Sequence, residues 1–505
     1  MNRGRAFAAV DLGAESGRVA LGRFDGEKVS LDIVHRFANH PVWLNDGLHW
    51  NLLKLFDESL SGIARAADAG RLDGIGVDAW GVDYALLDAT DRVLGLPFHY
   101  RDRRTEEMIA AADAKIGREV LYARTGIQTM PINTIFQLLS EADGAAARAA
   151  ARLAFVPDLF GLWMTGQLVN EVTIASTSGF LGAEDGRWAR DLIARLGLPE
   201  APFTHDPVEP GTGIGPLLAQ HDDACGDAAR AKVWTVAGHD TASAFVAIPL
   251  TGPRDALLSS GTWSLLGIES DRPFLDARAR EYNLTNERGV GGRIRLLRNV
   301  MGLWLLQECR RAWKRTGVTA DYEQLMALAE SADPNVALFD PDEEVLLTPG
   351  EMPGRISEAC RVAGQSPPSE LGEIVRSILT SLACKYRFVL ERLQRLTGQT
   401  LEVLHVVGGG ARNRLLCQLT ADLTGLPVSA GPVEATALGN VLVQAIATGE
   451  VADLSQARQL SAASWERTVH EPGAAAPASE PYDRFLTVTG LRATDRDHAI
   501  ARQGR

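Results

Sequence analysis

A chain of 505 residues with 46% hydrophobic and 23% charged side chains is long enough for two or three domains, and this composition favours neither disorder nor a membrane location. Its formal charge of −13, from 64 acidic against 51 basic residues, gives no general attraction to nucleic acid or anionic lipid, although glycine-rich backbone still suits a local anion such as a nucleotide. The five scattered cysteines contain no CxxC pair, the early apolar run AFAAV is cut by Asp11, and no apolar run reaches 18 residues, so a zinc site, a signal peptide and a membrane span are not expected and a reducing cytoplasm is.

In chain order, AFAAVDLG and GRVALGRFDG read as two strands joined by a turn at Ala14 to Gly17, and VSLDIVHRFAN reads as a third. The opening is antiparallel. NLLKLFDESLSGIARAADAG has apolar residues at helical spacing and ends in glycine, LDGIGVDAWG returns to a buried strand, and the alanine-rich ADGAAARAAARLAF predicts a long helical region. VWTVAG is a strand with Asp240 at its mouth. After AIPLTGP, which places a boundary near Ala247 to Pro253, RDALLSSGTWSLLGIESD repeats the strand, small-residue turn, strand layout of the N-terminus. Two copies of one fold are implied. SILTSLACKYRFVLERLQRLTG is a strong amphipathic helix, LEVLHVVGGGARNRLLCQLTADLTGLPV reads as strand, glycine loop, helix and turn, and EPGAAAPASEP connects to a last helix at YDRFLTVTG.

Four places carry chemistry. VDLGAESGR sets Asp11 at a strand end before a turn of small and polar residues, where backbone N–H groups can meet phosphate and a carboxylate can hold magnesium through waters; an ordinary hairpin turn is the other reading. LSSGTWSLLG offers Ser260, Gly261 and Thr262 in the matching turn of the second half, either as a phosphate-binding turn or as a structural one. Gly408, Gly409 and Gly410 lie between a strand and a helix, where backbone can pass close to a base or ribose, or where glycine serves packing; they match neither GxGxxG nor a P-loop. In GHDTASA, Asp240 is either a general base for a substrate hydroxyl or a helix N-cap. Trp80 and Asp83 in DAWGVDY could line a sugar site but fit plain packing, and the charge run YRDRRTEEM reads as a solvated helix start.

Taken together, AVDLGAESGR, WGVDY, GLPFHYRDRRT, TGIQTMPINTIFQL, PDLFGLWMTG, GHDTASA, LSSGTWSLLGIES, NVMGLWLLQECRR and GGGARN resemble the FGGY sugar kinases from about Phe7 to about Leu486. The resemblance implies an α/β fold of two ribonuclease H/actin-like domains with an active-site cleft between them, residues 1–248 binding sugar and carrying the base, residues 249–490 binding nucleotide, and a tail at 491–505. It also implies ATP and Mg2+ as cofactors. By the same resemblance Ala14, Glu15, Ser16, Gly17 and Arg18 lie against the ATP phosphates with Asp11 near the metal; Gly81, His239, Asp240 and Thr241 contact the sugar; Asp240 is the base; and Thr262, Asn299, Gln307 and Gly409 contact the nucleotide. WGVDY, YRDRRT and GHDTASA are similar to the branch acting on L-rhamnulose at its 1-hydroxyl, with another ketose such as L-fuculose or xylulose, or a non-catalytic sensor of the same fold, as alternatives. Ala79 and Gly238 depart from the hydroxyl-bearing residues that the pattern has at those places. The partners implied are a ketose and ATP, with no nucleic acid and no membrane, for a monomer or homodimer.

Overall fold

FAAV is apolar and buried on both faces, and it forms the middle of the strand Arg5–Leu12 inside a six-stranded sheet. The computed structural model describes residues 5–226, 228, 231–473 and 479–492. In that sheet Arg5–Leu12 pairs antiparallel with Ser16–Phe24, which pairs antiparallel with Val29–Ala38 at the edge. On its other side it runs parallel to Gly74–Ala79, then Lys232–His239, with Gly213–Pro216 closing the sheet. Three strands thus end together at Leu12, Ala79 and His239.

The described residues fall into two compact units, the first taking the chain up to Pro253, then Ile268–Arg298 and Glu434–Glu466, and the second taking Arg254–Gly267, Asn299–Val433 and the chain from Arg467. The chain therefore returns to the first unit twice. In the second unit Asp255–Ser260 pairs antiparallel with Trp263–Ser270 and parallel with Val403–Val407, which continues to Val428–Ala430 and Thr468–His470. The 27-residue helix Leu371–Thr397 packs against the helices Tyr322–Ser331 and Arg414–Thr424, and is begun by a Glu370 and Glu373 capping box and ended by Gly398 at φ 72°. The predicted helix over 377–398 is this element, extended by its capped first turns. Among the described residues no helix is long and apolar enough to cross a membrane.

The strand, helix and turn pattern of the first hundred residues matches the expectation, including the helix Leu52–Ala67 capped by Asn51. The alanine-rich stretch does not. It gives only the short helix Ala145–Ala149, after which Arg152–Phe155 is a strand paired antiparallel with Tyr84–Leu87. Burial of Leu153, Ala154 and Phe155 in the core outweighs the helix preference of alanine. Residues 474–478 of the connector and 493–505 of the tail lie outside the described residues; the last helix is Ser479–Val488.

The helix Ala435–Ala447 is what the second return brings into the first unit, and its Gly439 sits on the Asp240–Val246 helix. A Cβ there would lie 1.7 Å from the Ser243 carbonyl oxygen. Backbone cannot yield as a side-chain tip can, so Gly439→Ala is expected to destabilise the first unit by at least about 2 kcal/mol. Urea unfolding measures it, and a midpoint within error of the parent would show that the two helices separate freely.

Candidate functional site

Parallel pairing puts Asp11 opposite Asp78, so two carboxylates leave adjacent strand ends side by side, both almost fully buried. Asp240 follows on the third strand end. Burial pushes the Asp11 carboxyl up to about 6, eased by Arg18 and raised further by Asp240 and Glu434. Asp78 is pushed well up by burial and by Asp11, and Asp240 is pushed up by burial. The counter-charge comes from Arg18, whose Nε lies 3.5 Å from Asp11 Oδ2 and whose Nη1 donates to Glu434 Oε2 at 2.7 Å. Arg36 donates to the other Glu434 oxygen at 2.5 Å. Burial works against ionised Glu434, but these two arginines hold it below the usual range. Asn440 donates to Asp78 Oδ2 at 2.7 Å and is itself held by Gln444.

This cluster bears on magnesium. Asp11 Oδ2 and Asp78 Oδ1 are buried without a hydrogen-bond partner, and both are the hard oxygen donors that suit this ion. No group of three or more acidic, histidine or cysteine side chains forms a cage among the described residues.

The turn after Asp11 is closed by Gly13 N–H donating to the Ser16 carbonyl at 3.0 Å, with Ala14 and Glu15 half-buried and Ser16 exposed. Gly17 answers to packing, since a Cβ there would lie 2.2 Å from the Phe37 ring. The Glu15 carbonyl accepts from Asn39 N–H at 3.0 Å, which anchors the turn.

His239 ends its strand and occupies the N-cap position of the Asp240–Val246 helix, so Asp240 is that helix's first residue. Thr241 donates to Asp240 Oδ1 from its backbone N at 2.5 Å and its Oγ1 at 3.1 Å. Both bonds fall on one oxygen, and the side chain is 30% exposed. His239 Nε2 lies 3.5 Å from Asp240 Oδ1. Gly81 meets the same histidine: a Cβ there would lie 3.4 Å from His239 Nε2 and 3.2 Å from Thr177. Gly81, His239, Asp240 and Thr241 are thereby gathered in the first unit.

The backbone before Asp240 is pinned from behind. Buried Glu171 accepts from Gly238 N–H at 2.9 Å, from Thr173 Oγ1 at 2.6 Å, and from the N–H groups of Thr173 and Ile174, while Thr173 Oγ1 accepts from His239 N–H at 3.3 Å. Burial pushes Glu171 up to about 7. Beside Gly81, Val82 has φ 70°, a strained state for a β-branched residue, fixed by Thr177 and Thr134 through its N–H and carbonyl. Buried Asp83 accepts from Trp50 Nε1, Trp80 Nε1 and Gln137 Nε2 at 2.6 to 2.9 Å, and burial pushes it up to about 6. The Trp80 ring lies 4.0 Å from that of Trp50, tilted by 33°, and is itself buried, so its face serves packing. Tyr100 and Asp102 are buried, with Asp102 accepting from Leu48 N–H at 2.9 Å; since Asp102 also caps the turn Arg103–Thr105, and Arg103, Glu106 and Glu107 are exposed, the expected solvated helix start is met only in part.

In the second unit the Gly261 and Thr262 carbonyls accept from Leu303, Gly302 and Trp304 N–H at 2.9 to 3.2 Å. A Cβ on Gly302 would meet this turn at 2.6 Å. Asn299 and Gln307 lie on either side of Gly302, on the strand Ile294–Met301 and the helix Trp304–Arg315. Gly408, at φ 80°, and Gly410 pack against Ser260: added Cβ atoms would lie 2.9 Å from its carbonyl and 2.0 Å from its hydroxyl. Gly409 has open space. Two glycines are therefore structural and one is free to face a ligand.

Sequence reasoning missed Asp78, Glu171, Glu287, Arg295 and Glu434. Only Asp78 had a signal, as the acidic end of a second apolar strand, GIGVDA.

Residues 7–247 match the N-terminal domain and residues 256–448 the C-terminal domain of the FGGY family of carbohydrate kinases. The chain is 41% identical to the rhamnulokinase of Bacteroides thetaiotaomicron over 482 residues, covering 95% of this chain and 98% of that one. It is equally 41% identical to that of Enterococcus faecalis over 472 residues, covering 92% and 94%. Among solved structures, the gluconate kinase of Lactobacillus acidophilus superposes with TM-score 0.76 at 15% identity, covering 98% of each chain, and the xylulose kinase of Rhodospirillum rubrum with 0.76 at 21%, covering 98% and 99%. At those identities the likeness is one of fold.

Because Asp11 is raised from its ordinary 3.8 to about 6, the folded chain binds more protons than the unfolded chain between those values, and stability from this group rises as pH falls. The stability difference between parent and Asp11→Asn is expected to shift in favour of the parent as pH is lowered from 7 through 6 to 4.5. Urea titrations at each pH measure it. A difference independent of pH would show that Asp11 is not held above its unfolded value.

Proposed function

Since the chain belongs to the FGGY family of carbohydrate kinases, an ATP-using group, we propose that it transfers the γ-phosphoryl group of ATP to the 1-hydroxyl of L-rhamnulose, giving L-rhamnulose 1-phosphate and ADP. Full-length likeness to proteins named rhamnulokinase supports the choice of sugar. The observation that carries the chemistry is Asp240, a half-exposed carboxylate at a strand end beside Gly81 and His239, with its hydrogen bonds confined to Oδ1.

In this reading Oδ2 of Asp240 takes the proton of the sugar hydroxyl as its oxygen attacks the γ-phosphorus. Burial raises the proton affinity of this carboxyl, which strengthens it as a base. Gly81, His239 and Thr241 orient the sugar. Phosphoryl transfer asks mainly for alignment and charge neutralisation, and the Ala14 to Arg18 turn, the Thr262 hydroxyl, Asn299, Gln307 and the open face at Gly409 are the groups assigned to the nucleotide. In this reading residues 1–248 carry the sugar-binding groups, the base and the phosphate turn, and residues 249–490 carry Thr262, Asn299, Gln307 and Gly409. When bound, magnesium neutralises part of the triphosphate charge, and Asp11 with Asp78 would hold it through its waters. All five cysteines are free and buried, in keeping with a reducing cytoplasm as the place of action.

The test is ADP release with Mg-ATP over L-rhamnulose, L-fuculose, D- and L-xylulose, L-ribulose and glycerol. Preference for L-rhamnulose is the expected result; faster turnover of another ketose would move the specificity, and ATP binding without turnover on any would overturn the reading. Asp240→Asn is expected to lower kcat by about 10² or more while ketose affinity stays within about tenfold. A near-parental kcat in this variant would remove Asp240 from the reaction.

A further inference from the structure

Behind the histidine at the proposed sugar site lies a buried charged group that the reaction as described does not use. Arg295, on the strand Ile294–Met301, is fully buried. Its Nε donates to the Arg288 carbonyl at 3.1 Å, its Nη2 donates towards His239 Nδ1 at 3.1 Å, and the same Nη2 lies 3.1 Å from Glu287 Oε2. Glu287 Oε2 is in turn 3.2 Å from His239 Nδ1. The guanidinium also rests over the Phe245 ring at 5.7 Å.

A guanidinium has no acceptor and does not lose its proton, so a hydrogen directed at Nδ1 requires a lone pair there. Nη2 pairs ionically with Glu287 and directs its hydrogen bond at His239 Nδ1, so in the neutral ring the proton sits on Nε2. We propose that Arg295 is a positioning residue that fixes His239 as the Nε2–H tautomer, making the histidine a hydrogen-bond donor to the sugar and leaving Asp240 as the acceptor for the hydroxyl proton. This rests on the kinase reading of the same site.

The consequence is a division of labour. Nε2 faces Gly81 and lies 3.5 Å from Asp240 Oδ1. In the other tautomer Nε2 would present a lone pair, and two acceptors would compete for one hydroxyl proton. Arg295 removes that ambiguity. The charged groups around His239 are Arg295 and Glu287 on the Nδ1 side and Asp240 on the Nε2 side, with Glu171 behind the backbone of Gly238. Glu287 tethers the guanidinium and balances its charge.

The direct test reads the tautomer in the intact protein. Long-range proton to nitrogen-15 correlation spectra of histidine-labelled enzyme, with His239→Gln to assign the signal, are expected to show Nδ1 as a pyridine-type nitrogen and Nε2 as a pyrrole-type nitrogen between pH 6 and 8. A protonated Nδ1 anywhere in that range would overturn the proposal. This spectrum does not depend on turnover, so it fails separately from the sugar assignment. Kinetically, Arg295→Gln is expected to raise the ketose KM about tenfold, as for a lost orienting bond, with KM for ATP unchanged. Arg295→Lys, which keeps a donor, is expected to recover most of it. An unchanged ketose KM in Arg295→Gln would equally overturn the proposal, and if that variant does not fold, the spectrum of the parent decides.

Discussion

Two carboxylates forced together at the ends of parallel strands set the terms for the rest of the first unit. Asp11 and Asp78 are in register, almost without exposure, and mutually repelling. Burying them is costly unless cations and donors reach them. The chain meets this demand from distant sequence: Arg18 from the next strand, Glu434 to hold Arg18, and Asn440 with Gln444 from the helix that returns after the second unit. Even the sheet glycines follow. A Cβ on Gly76 would lie 2.5 Å from Asn440 Oδ1, and one on Gly74 2.6 Å from Gln444 Oε1.

The same logic explains why Asp240 sits where it does. Its strand is the third to end at this edge, and the backbone just before it is fastened by Glu171 and Thr173. A base must be held to a fraction of an ångström to be useful. Holding it by buried carboxylates places further titratable groups in the interior, so Glu171, Asp83 and Arg295 all have perturbed proton affinities without touching the Asp240 carboxylate. Perturbed pKa values here extend beyond the groups that would meet substrate.

In the second unit the corresponding constraint is steric. Ser260, the Gly261 and Thr262 turn, Gly302 and the Gly408 to Gly410 loop pack so closely that side chains are excluded at several points. The choice between packing and ligand approach for the three consecutive glycines thus resolves residue by residue, with Gly408 and Gly410 tied to Ser260 and Gly409 open. Glycine in a motif has two distinct causes, and only coordinates separate them.

The sequence by itself determined the local order: apolar runs long enough for buried strands, amphipathic helices with glycine stops, Asp11 and Asp240 at strand mouths, and motifs sufficient to place the chain among sugar kinases. These are readable because they rest on periodicity and on turn chemistry within a few residues. Tertiary structure decided what depends on residues far apart. It turned the alanine-rich stretch into a short helix and a strand by pairing it with Tyr84–Leu87. It brought Glu434 and Asn440 across more than 360 positions to Arg18 and Asp78, and it set Arg295 against His239. No local signal marks such residues, because an arginine or glutamate in a strand looks the same whether it faces water or neutralises a buried charge, and only the packing of the whole unit distinguishes the two.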